Sequence, residues 1–415
     1  MTARKTVLDN GMTIITEKMN SVRSVALGIW FRVGSRDEAP AEAGMSHFME
    51  HMMFKGTPTR DARQLSEAFD RLGAQQNAFT SREYTCYFAN FLDESLEGAF
   101  ELLGDMVCHA ELAQDQCELE RQVIIEEIAR GEDDPDDVAS ELFTLTLWPD
   151  HPLGLPIAGT REIVGGFGHE AAVDFRSRHY GTANCIVAAA GNLEHERLID
   201  LAQRYLADLP QADTVPLRSS PAPSAAARAF KQKDTEQAQI YLGTTAMAGA
   251  DERRFALALG NNILGGTMSS RLFQEIREKE GLVYATYSMP QLYQDSGLFA
   301  LYSGTRPENA GHVAELMERE FDKIAAEPVS AGELEMARQS AKGALALSLE
   351  STSKRMIALA QNELFGSPQL DFDELLARYD AVTIDDIATV MAELGAQART
   401  LAVVGPFTQQ NFETR

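Results

Sequence analysis

Two histidines and a glutamate stand at helical spacing in residues 44–57, which read GMSHFMEHMMFKGT. On a helix that turns about 100° per residue, His47 and His51 share one face, and Glu50 lies about 60° to one side of His47. Neutral imidazoles are good zinc ligands, and a carboxylate beside the metal can take a proton from water. The spacing therefore predicts a buried metal site with His47 and His51 as ligands and Glu50 as the general base.

A zinc site of this kind needs a third protein ligand and an open position for water. Residues 117–130, CELERQVIIEEIAR, predict a helix that Val123 and its apolar neighbours bury substantially. Glu120 and Glu127 differ by only about 20° around this helix, whereas Glu126 is turned by about 100° from Glu127. The face shared by Glu120 and Glu127 thus offers the candidate carboxylate. The other histidines stand in segments without a clear ligand pattern: His109, His151, His169, His179, His195 and His312.

The segment HFMEHMMFKGT followed by LERQVIIEE resembles the inverted-motif zinc peptidases of the pitrilysin and insulin-degrading-enzyme class. Within that class, the chain is similar to the β subunit of the mitochondrial processing peptidase and its single-chain bacterial relatives. The similarity covers the whole chain, including VGSRDE at 33–38, NAFT at 77–80 and HY at 179–180. This resemblance implies Zn²⁺ as the cofactor and Glu127 as the third ligand. It also implies that Glu120 supports a ligand histidine and tunes the charge of the site.

The second half of the chain carries Arg277 and Tyr284, which follow the segment GGTMSSRLF at residues 265–273. At this spacing they resemble the pair that insulin-degrading enzymes direct at the scissile carbonyl. Hydrolysis develops an oxyanion, which a positioned cation or phenol stabilises. The alternative is that Arg277 lies on an exposed helix and that Tyr284 packs in a core. The glycine pair predicts a loop or helix boundary, since no P-loop lysine follows.

Residues 211–229, QADTVPLRSSPAPSAAARA, have the composition of a linker. They predict a metal-bearing catalytic domain over residues 1–210 and a homologous second domain over residues 230–415, which the family resemblance implies completes a substrate chamber. Three stretches recur in the same order in both halves, which indicates an internal duplication. They pair residues 24–38 with 237–252, 72–74 with 281–283, and 184–193 with 398–407. The predicted fold class is α+β, with two duplicated domains that each pack a largely antiparallel sheet against helices.

The chain has 415 residues, of which 44% are hydrophobic and 24% are charged, as in globular proteins of several domains. Its formal charge of -25 repels phosphate backbones and excludes nucleic acid as an expected partner. Four scattered cysteines without a Cys-x-x-Cys pair predict reduced, packed thiols. The N-terminal residues lack the apolar core of a signal peptide, and no apolar run is long enough to span a bilayer. Together these features predict a cytoplasmic protein without a membrane partner.

The strand around Asn77, Ala78 and Phe79 is expected to offer its free edge to a peptide, which adds as a further strand. Such pairing demands little of the peptide sequence, so the predicted substrates are unstructured peptides or extended protein segments. The resemblance further implies a closed shell of two chains, a homodimer in which Arg277 and Tyr284 act in trans. Two alternatives are a heterodimer with a related chain and a non-catalytic, peptide-binding subunit. The intact metal motif argues against the second alternative.

Overall fold

The computed structural model describes residues 3–211, 216–408 and 412, which form two compact units. Unit 1 comprises Met1–Ala129, Leu155–Arg218 and Leu347–Phe372, and unit 2 comprises Arg130–Gly154, Ser219–Ala346 and Asp373–Arg415. One of the changes from unit 1 to unit 2, between Arg218 and Ser219, falls within the predicted linker. Residues 212–215 of that linker lie outside the described part of the chain.

The first half of the chain places its strands and helices in blocks. Its strands are β1 (Arg4–Val7), β2 (Thr13–Lys18), β3 (Ser24–Phe31), β4 (Gly56–Thr57), β5 (Arg60–Asp61), β6 (Gln75–Thr80), β7 (Thr85–Leu92) and β8 (Cys185–Gly191). Its helices are α1 (Met45–Met52), α2 (Ala62–Arg71), α3 (Leu96–His109), α4 (Gln114–Asp133), α5 (Pro135–Leu147), α6 (Arg161–Val164), α7 (His169–His179) and α8 (His195–Tyr205).

The second half places most of its helices after its strands. Its strands are β9 (Ala227–Gln232), β10 (Ala238–Ala246), β11 (Val283–Leu292), β12 (Gly297–Thr305) and β13 (Thr400–Gly405). Its α-helices are α9 (Arg254–Asn261), α10 (Ala310–Ala326), α11 (Ala331–Ser348), α12 (Thr352–Phe365), α13 (Phe372–Ala381) and α14 (Ile384–Gly395). Two π-helical segments, Asn262–Gly266 and Phe273–Lys279, precede β11.

The main sheets of the two units share one topology, except that unit 1 has the additional edge strand β1. The sheet of unit 1 has the order β1-β2-β8-β3-β7-β6, and that of unit 2 has the order β9-β13-β10-β12-β11. Neighbouring strands are antiparallel except for the pairs β2–β8 and β9–β13. Even the turns before the edge strands agree, because Gly73 before β6 has φ 63° and Gly281 before β11 has φ 65°. The predicted α+β fold and its internal duplication are confirmed.

The central strand of unit 1 is apolar on both faces. Val25, Leu27 and Ile29 of β3 pack with residues of α1 and α3 in the main core. Ala26 and Trp30 point to the opposite face, where residues of α12 cover them. Because both faces are covered, the strand is a continuous apolar run, and α1 packs on one of these faces.

One helix from each half of the chain packs on the main sheet that the other half forms. Helix α5 covers the sheet of unit 2, and α12 covers the sheet of unit 1. Each of these helices lies close to a glycine in the strand that it covers. A methyl group at Gly28 of β3 would lie 2.8 Å from the Met356 sulfur, and one at Gly243 of β10 would lie 2.8 Å from Cζ of Phe143. The predicted domains at residues 1–210 and 230–415 differ from the two units by this exchange.

The four cysteines, Cys86, Cys108, Cys117 and Cys185, are buried free thiols. Among the described residues, no helix combines the length and the apolar character that a membrane crossing requires.

Candidate active site

Helix α1 begins at a glycine and is fixed by a distant carboxylate. Its N-cap, Gly44, has φ 99° and offers no side chain to the first turn. Glu38 replaces the missing cap, since its carboxylate accepts the backbone N–H of Gly44 at 2.7 Å and of Ser46 at 2.6 Å. Burial raises the pKa of Glu38 to about 8. The start of the helix is thus set by the loop that follows β3.

Two imidazoles and one carboxylate converge beside α1. The nearest ligand atoms of His47, His51 and Glu127 all lie within 4.8 Å of one another. The Nε2 atoms of His47 and His51 lie 3.8 Å and 3.6 Å from the same Oε2 atom of Glu127. The histidine side chains are largely buried, whereas that of Glu127 is 53% exposed, so the cluster stays accessible from one side.

This donor set fits a zinc ion. Burial, with a contribution from nearby His51, lowers the pKa of His47 to about 4. The ring is therefore neutral near pH 7, with a lone pair available for a metal. Two imidazoles and one carboxylate, with an open side, are the ligand set of a catalytic zinc site. His47, His51 and Glu127 are the residues that would hold the ion.

Glu120 contacts His51 at the ring nitrogen that is not directed at Glu127. Its Oε2 atom lies 3.1 Å from Nδ1 of His51, and its Oε1 atom lies 2.6 Å from Nζ of Lys55. A carboxylate at Nδ1 fixes the tautomer and the ring orientation of a histidine, so that Nε2 is free to bind. The position of Glu120 fits the supporting role that the resemblance implies, and Lys55 balances its buried charge.

Glu50 lies outside the donor cluster and is held by a strand. Its Oε2 atom accepts a hydrogen bond of 2.7 Å from the hydroxyl of Thr80, the last residue of β6. Burial raises the pKa of Glu50, although the bond from Thr80 opposes the shift. A raised pKa makes a carboxylate a stronger proton acceptor, which is the direction that favours a general base.

Helix α4 carries the acidic residues as the spacing predicts, but it is more exposed than expected. Ile124 and Ile128 are buried, whereas Val123 is 50% exposed. Glu126 is exposed, and the donor cluster contains its neighbour Glu127 instead. The exposed fraction of Val123 arises because α4 packs on the core along one stripe only, with the opposite face open to solvent.

Asn77, Ala78 and Phe79 belong to β6, the edge strand of the sheet in unit 1. The backbone N–H of Ala78 donates to Oδ1 of Asn77 at 2.8 Å, which places this N–H on the free side of the strand. In an antiparallel ladder the N–H and C=O of one residue point the same way, so Ala78 directs both toward the free edge. The ring of Phe79 packs edge-on against that of Trp30, with 5.3 Å between the ring centroids.

Arg277 and Tyr284 come together in unit 2. The guanidinium of Arg277 lies 5.3 Å from the ring centroid of Tyr284 and 4.6 Å from that of Phe273. The pairing of β11 with β12 shifts register between Val283 and Ala285, so Tyr284 is the extra residue of a β-bulge. Tyr284 is 78% exposed, so the alternative that it packs in a core is wrong.

Sequence reasoning missed three residues that contact the site: Glu38, Lys55 and Thr80. Each lies in a stretch on which the family resemblance rests: Glu38 in VGSRDE, Lys55 in HFMEHMMFKGT and Thr80 in NAFT. Their partners, however, are distant in sequence or belong to the backbone of α1, so no local spacing revealed the contacts.

Comparisons with known proteins identify the family of the chain. The family model described as Insulinase (Peptidase family M16) matches residues 13–161, and the model described as Peptidase M16 inactive domain matches residues 167–341. An uncharacterized zinc protease of Streptomyces coelicolor is 39% identical over 413 residues, covering 98% of this chain and 90% of the relative. A counterpart in Bacillus subtilis is 36% identical over 397 residues, covering 96% and 97%.

Solved structures show the same fold. A peptidase M16 inactive domain from Pseudomonas fluorescens superimposes with a TM-score of 0.93 at 20% identity, covering 98% of this chain and 99% of the other. A protease from Helicobacter pylori gives a TM-score of 0.91 at 23% identity, covering 97% and 99%. The full-length similarity to named zinc proteases, together with the two matched models, shows that the chain belongs to the insulinase family of peptidases, M16.

Proposed function

We propose that this chain is a zinc metalloendopeptidase that hydrolyses unstructured peptides or extended protein segments. The observation that carries the proposal is the convergence of His47, His51 and Glu127 within 4.8 Å, with Glu50 on the same helix as the histidines. When bound, zinc would supply a Lewis acid that polarises water and the scissile carbonyl.

In this proposal each carboxylate of the site has a separate task. Glu50 takes a proton from the attacking water and then gives it to the leaving amine, and Thr80 holds its carboxylate in place. Glu120 keeps the His51 ring turned toward the metal position. Arg277 and Tyr284 stabilise the oxyanion that develops on the scissile carbonyl.

The substrate is proposed to bind as a strand along the free edge of β6. Ala78 offers both a donor and an acceptor on that edge, and Thr80 joins the same strand to Glu50. A peptide paired with β6 would therefore lie next to the general base. Because the pairing uses main-chain groups, an extended backbone is required and the side chains matter less.

A homodimer that encloses the substrate is the proposed working form, with Arg277 and Tyr284 acting across chains. The exposure of Tyr284 on a bulge favours a role in contact with another molecule. A heterodimer, in which a related chain supplies the arginine–tyrosine pair, is the second candidate. The presence of both Arg277 and Tyr284 in this chain favours the homodimer.

The proposal is tested by cleavage of an unfolded peptide library with the purified chain, with and without a chelator. Glu50→Gln should retain zinc, because Glu50 is not a ligand, while turnover falls by about 10²–10⁴-fold with the loss of the proton acceptor. Metal content and turnover are measured on the same preparation. Near-normal turnover of the Glu50→Gln variant, or chelator-resistant cleavage by the wild type, would refute the proposal.

A further inference from the structure

The loop after β3 contacts two elements of the candidate active site, helix α1 and the turn that follows β6. Its Glu38 caps α1, as described above. Its backbone also pairs with the turn between β6 and β7, since the N–H of Ser35 donates to Ser81 at 3.2 Å and that of Arg36 donates to Arg82 at 2.8 Å. The contact is tight, because a methyl group at Gly34 would lie 2.3 Å from the Ser81 carbonyl oxygen.

A buried arginine from the linker joins this loop to the same turn. Nε and Nη2 of Arg218 donate to Oδ1 and Oδ2 of Asp37 at 2.9 Å and 2.8 Å, and Nη2 also donates to the carbonyl oxygen of Glu83 at 2.6 Å. The Arg218 side chain is 9% exposed, and those of Asp37 and Glu83 are 2% exposed. Arg36 completes the cluster with a 2.6 Å ion pair to Glu83.

Arg218 binds Asp37 and Glu83, and each of these lies close in sequence to a residue that positions part of the site. Asp37 precedes Glu38, which fixes the start of α1. Glu83 lies in the turn that directly follows Thr80, which holds the Glu50 carboxylate. One guanidinium therefore bridges the loop that caps α1 and the turn that follows β6, where the peptide is proposed to bind.

We propose that Arg218 is a positioning residue for catalysis, through which the linker aligns a peptide on β6 with Glu50. This inference rests on the proposed peptidase function. The planar fork of arginine suits a bidentate carboxylate and a third acceptor together, which the single ammonium of lysine cannot match. The candidate ligands sit on α1 and α4, whereas Arg218 donates hydrogen bonds to the loop after β3 and to the turn between β6 and β7.

Arg218→Gln should therefore keep zinc and lose turnover. We expect kcat per zinc-loaded chain to fall about tenfold or more, because small misplacements of reacting groups cost up to about 10²-fold. KM should change by less than about threefold, since the free edge of β6 remains. Arg218→Lys, which retains the charge, should give an intermediate kcat. The readouts are kcat, KM, metal content and thermal unfolding, with a quenched fluorescent peptide.

Two further variants separate positioning from folding. Arg204→Gln removes an exposed arginine of unit 1 that pairs with Glu97, and it should behave as the wild type. Removing Arg218 alone leaves Asp37 buried without this partner, which destabilises proteins. The double variant Arg218→Gln/Asp37→Asn avoids that charge, and it should show the same selective loss of kcat.

The outcomes distinguish this inference from the function on which it rests. Folded, zinc-loaded Arg218 variants with kcat within about twofold of the wild type would overturn the positioning role alone. Loss of zinc and turnover in proportion would also overturn it, since Arg218 would then act only through stability. A wild type that cleaves no peptide would overturn the proposed function and this inference together.

Discussion

Glu126 and Glu127 are neighbours in sequence, yet only the carboxylate of Glu127 joins the donor cluster. Glu120, two turns earlier on α4, contacts His51 from the other side of the ring. The three glutamates thus occupy three environments on one helix. Glu126 is exposed, Glu127 lies next to both imidazoles, and Glu120 is buried against the ring of His51. Substitution by glutamine at each position changes the charge and leaves the size of the side chain almost unchanged.

We predict a ranking of zinc affinity among the three glutamine variants. Loss of a residue that supports a ligand typically costs about 10–100-fold in metal affinity, so Glu120→Gln should fall in that range. Glu127→Gln should cost more, because a proposed ligand is lost, and Glu126→Gln should match the wild type. Competition with a chelating dye measures all three. A larger loss for Glu126→Gln than for Glu127→Gln would mean that the helix register is misread.

At the scale of elements, β6 combines an unpaired edge with a bond to the general base. The N–H of Ala78 faces the free side of the sheet, so a proline at this position removes one donor without breaking the ladder to β7. Asn77→Ala is the matched control, because it removes only the side chain that accepts from this N–H.

We predict that Ala78→Pro lowers kcat/KM about tenfold or more for an unstructured peptide, while zinc content stays at the wild-type level. The reason is that one carbonyl of the bound peptide loses its donor, and a factor of ten corresponds to about 1.4 kcal/mol. Asn77→Ala should stay within about threefold of the wild type. Equal effects of the two substitutions, measured on the same peptide, would contradict strand addition at this edge.

The elements also show how far sequence reasoning extends. The spacing of His47, Glu50 and His51 along one helix was predictable, because helical geometry alone places them. The recurring stretches predicted the duplicated sheets for a similar reason, since each repeats a local pattern. Helix α12 shows the limit. Its apolar stripe indicates that one face is buried, but it does not say that the partner is the sheet of unit 1.

The contacts of Arg218, Thr80 and Lys55 were unpredictable for the same physical reason. Each joins residues whose proximity is decided by the packing of whole elements, and single polar residues carry no periodic pattern. The resemblance identified the stretches in which Lys55 and Thr80 lie, but not what they bind. Arg218 stands in a stretch whose composition indicates a linker, yet its guanidinium is buried in unit 1.

At the scale of the whole molecule, the residues proposed for catalysis are divided between two units. Glu50 and the candidate ligands belong to unit 1, and Arg277 and Tyr284 belong to unit 2. If two chains enclose one substrate, each active site draws unit 1 from one chain and unit 2 from the other. Two variant chains can then be combined, one with a substitution in unit 1 and the other with a substitution in unit 2. Their combined activity shows whether an active site is built from two chains or from one.

We predict that mixing Glu50→Gln chains with Tyr284→Phe chains restores peptide cleavage. Each variant alone places one defect in every site, whereas a mixed dimer contains one site with an intact Glu50 and an intact Tyr284. Equal mixing makes about half the dimers mixed, each with one repaired site of two, so about a quarter of wild-type activity should return. Differently tagged chains, recovered together on one affinity resin, verify the exchange of subunits. Verified mixed dimers without recovered cleavage would exclude sharing across chains, and a fully active monomer would exclude the dimer itself.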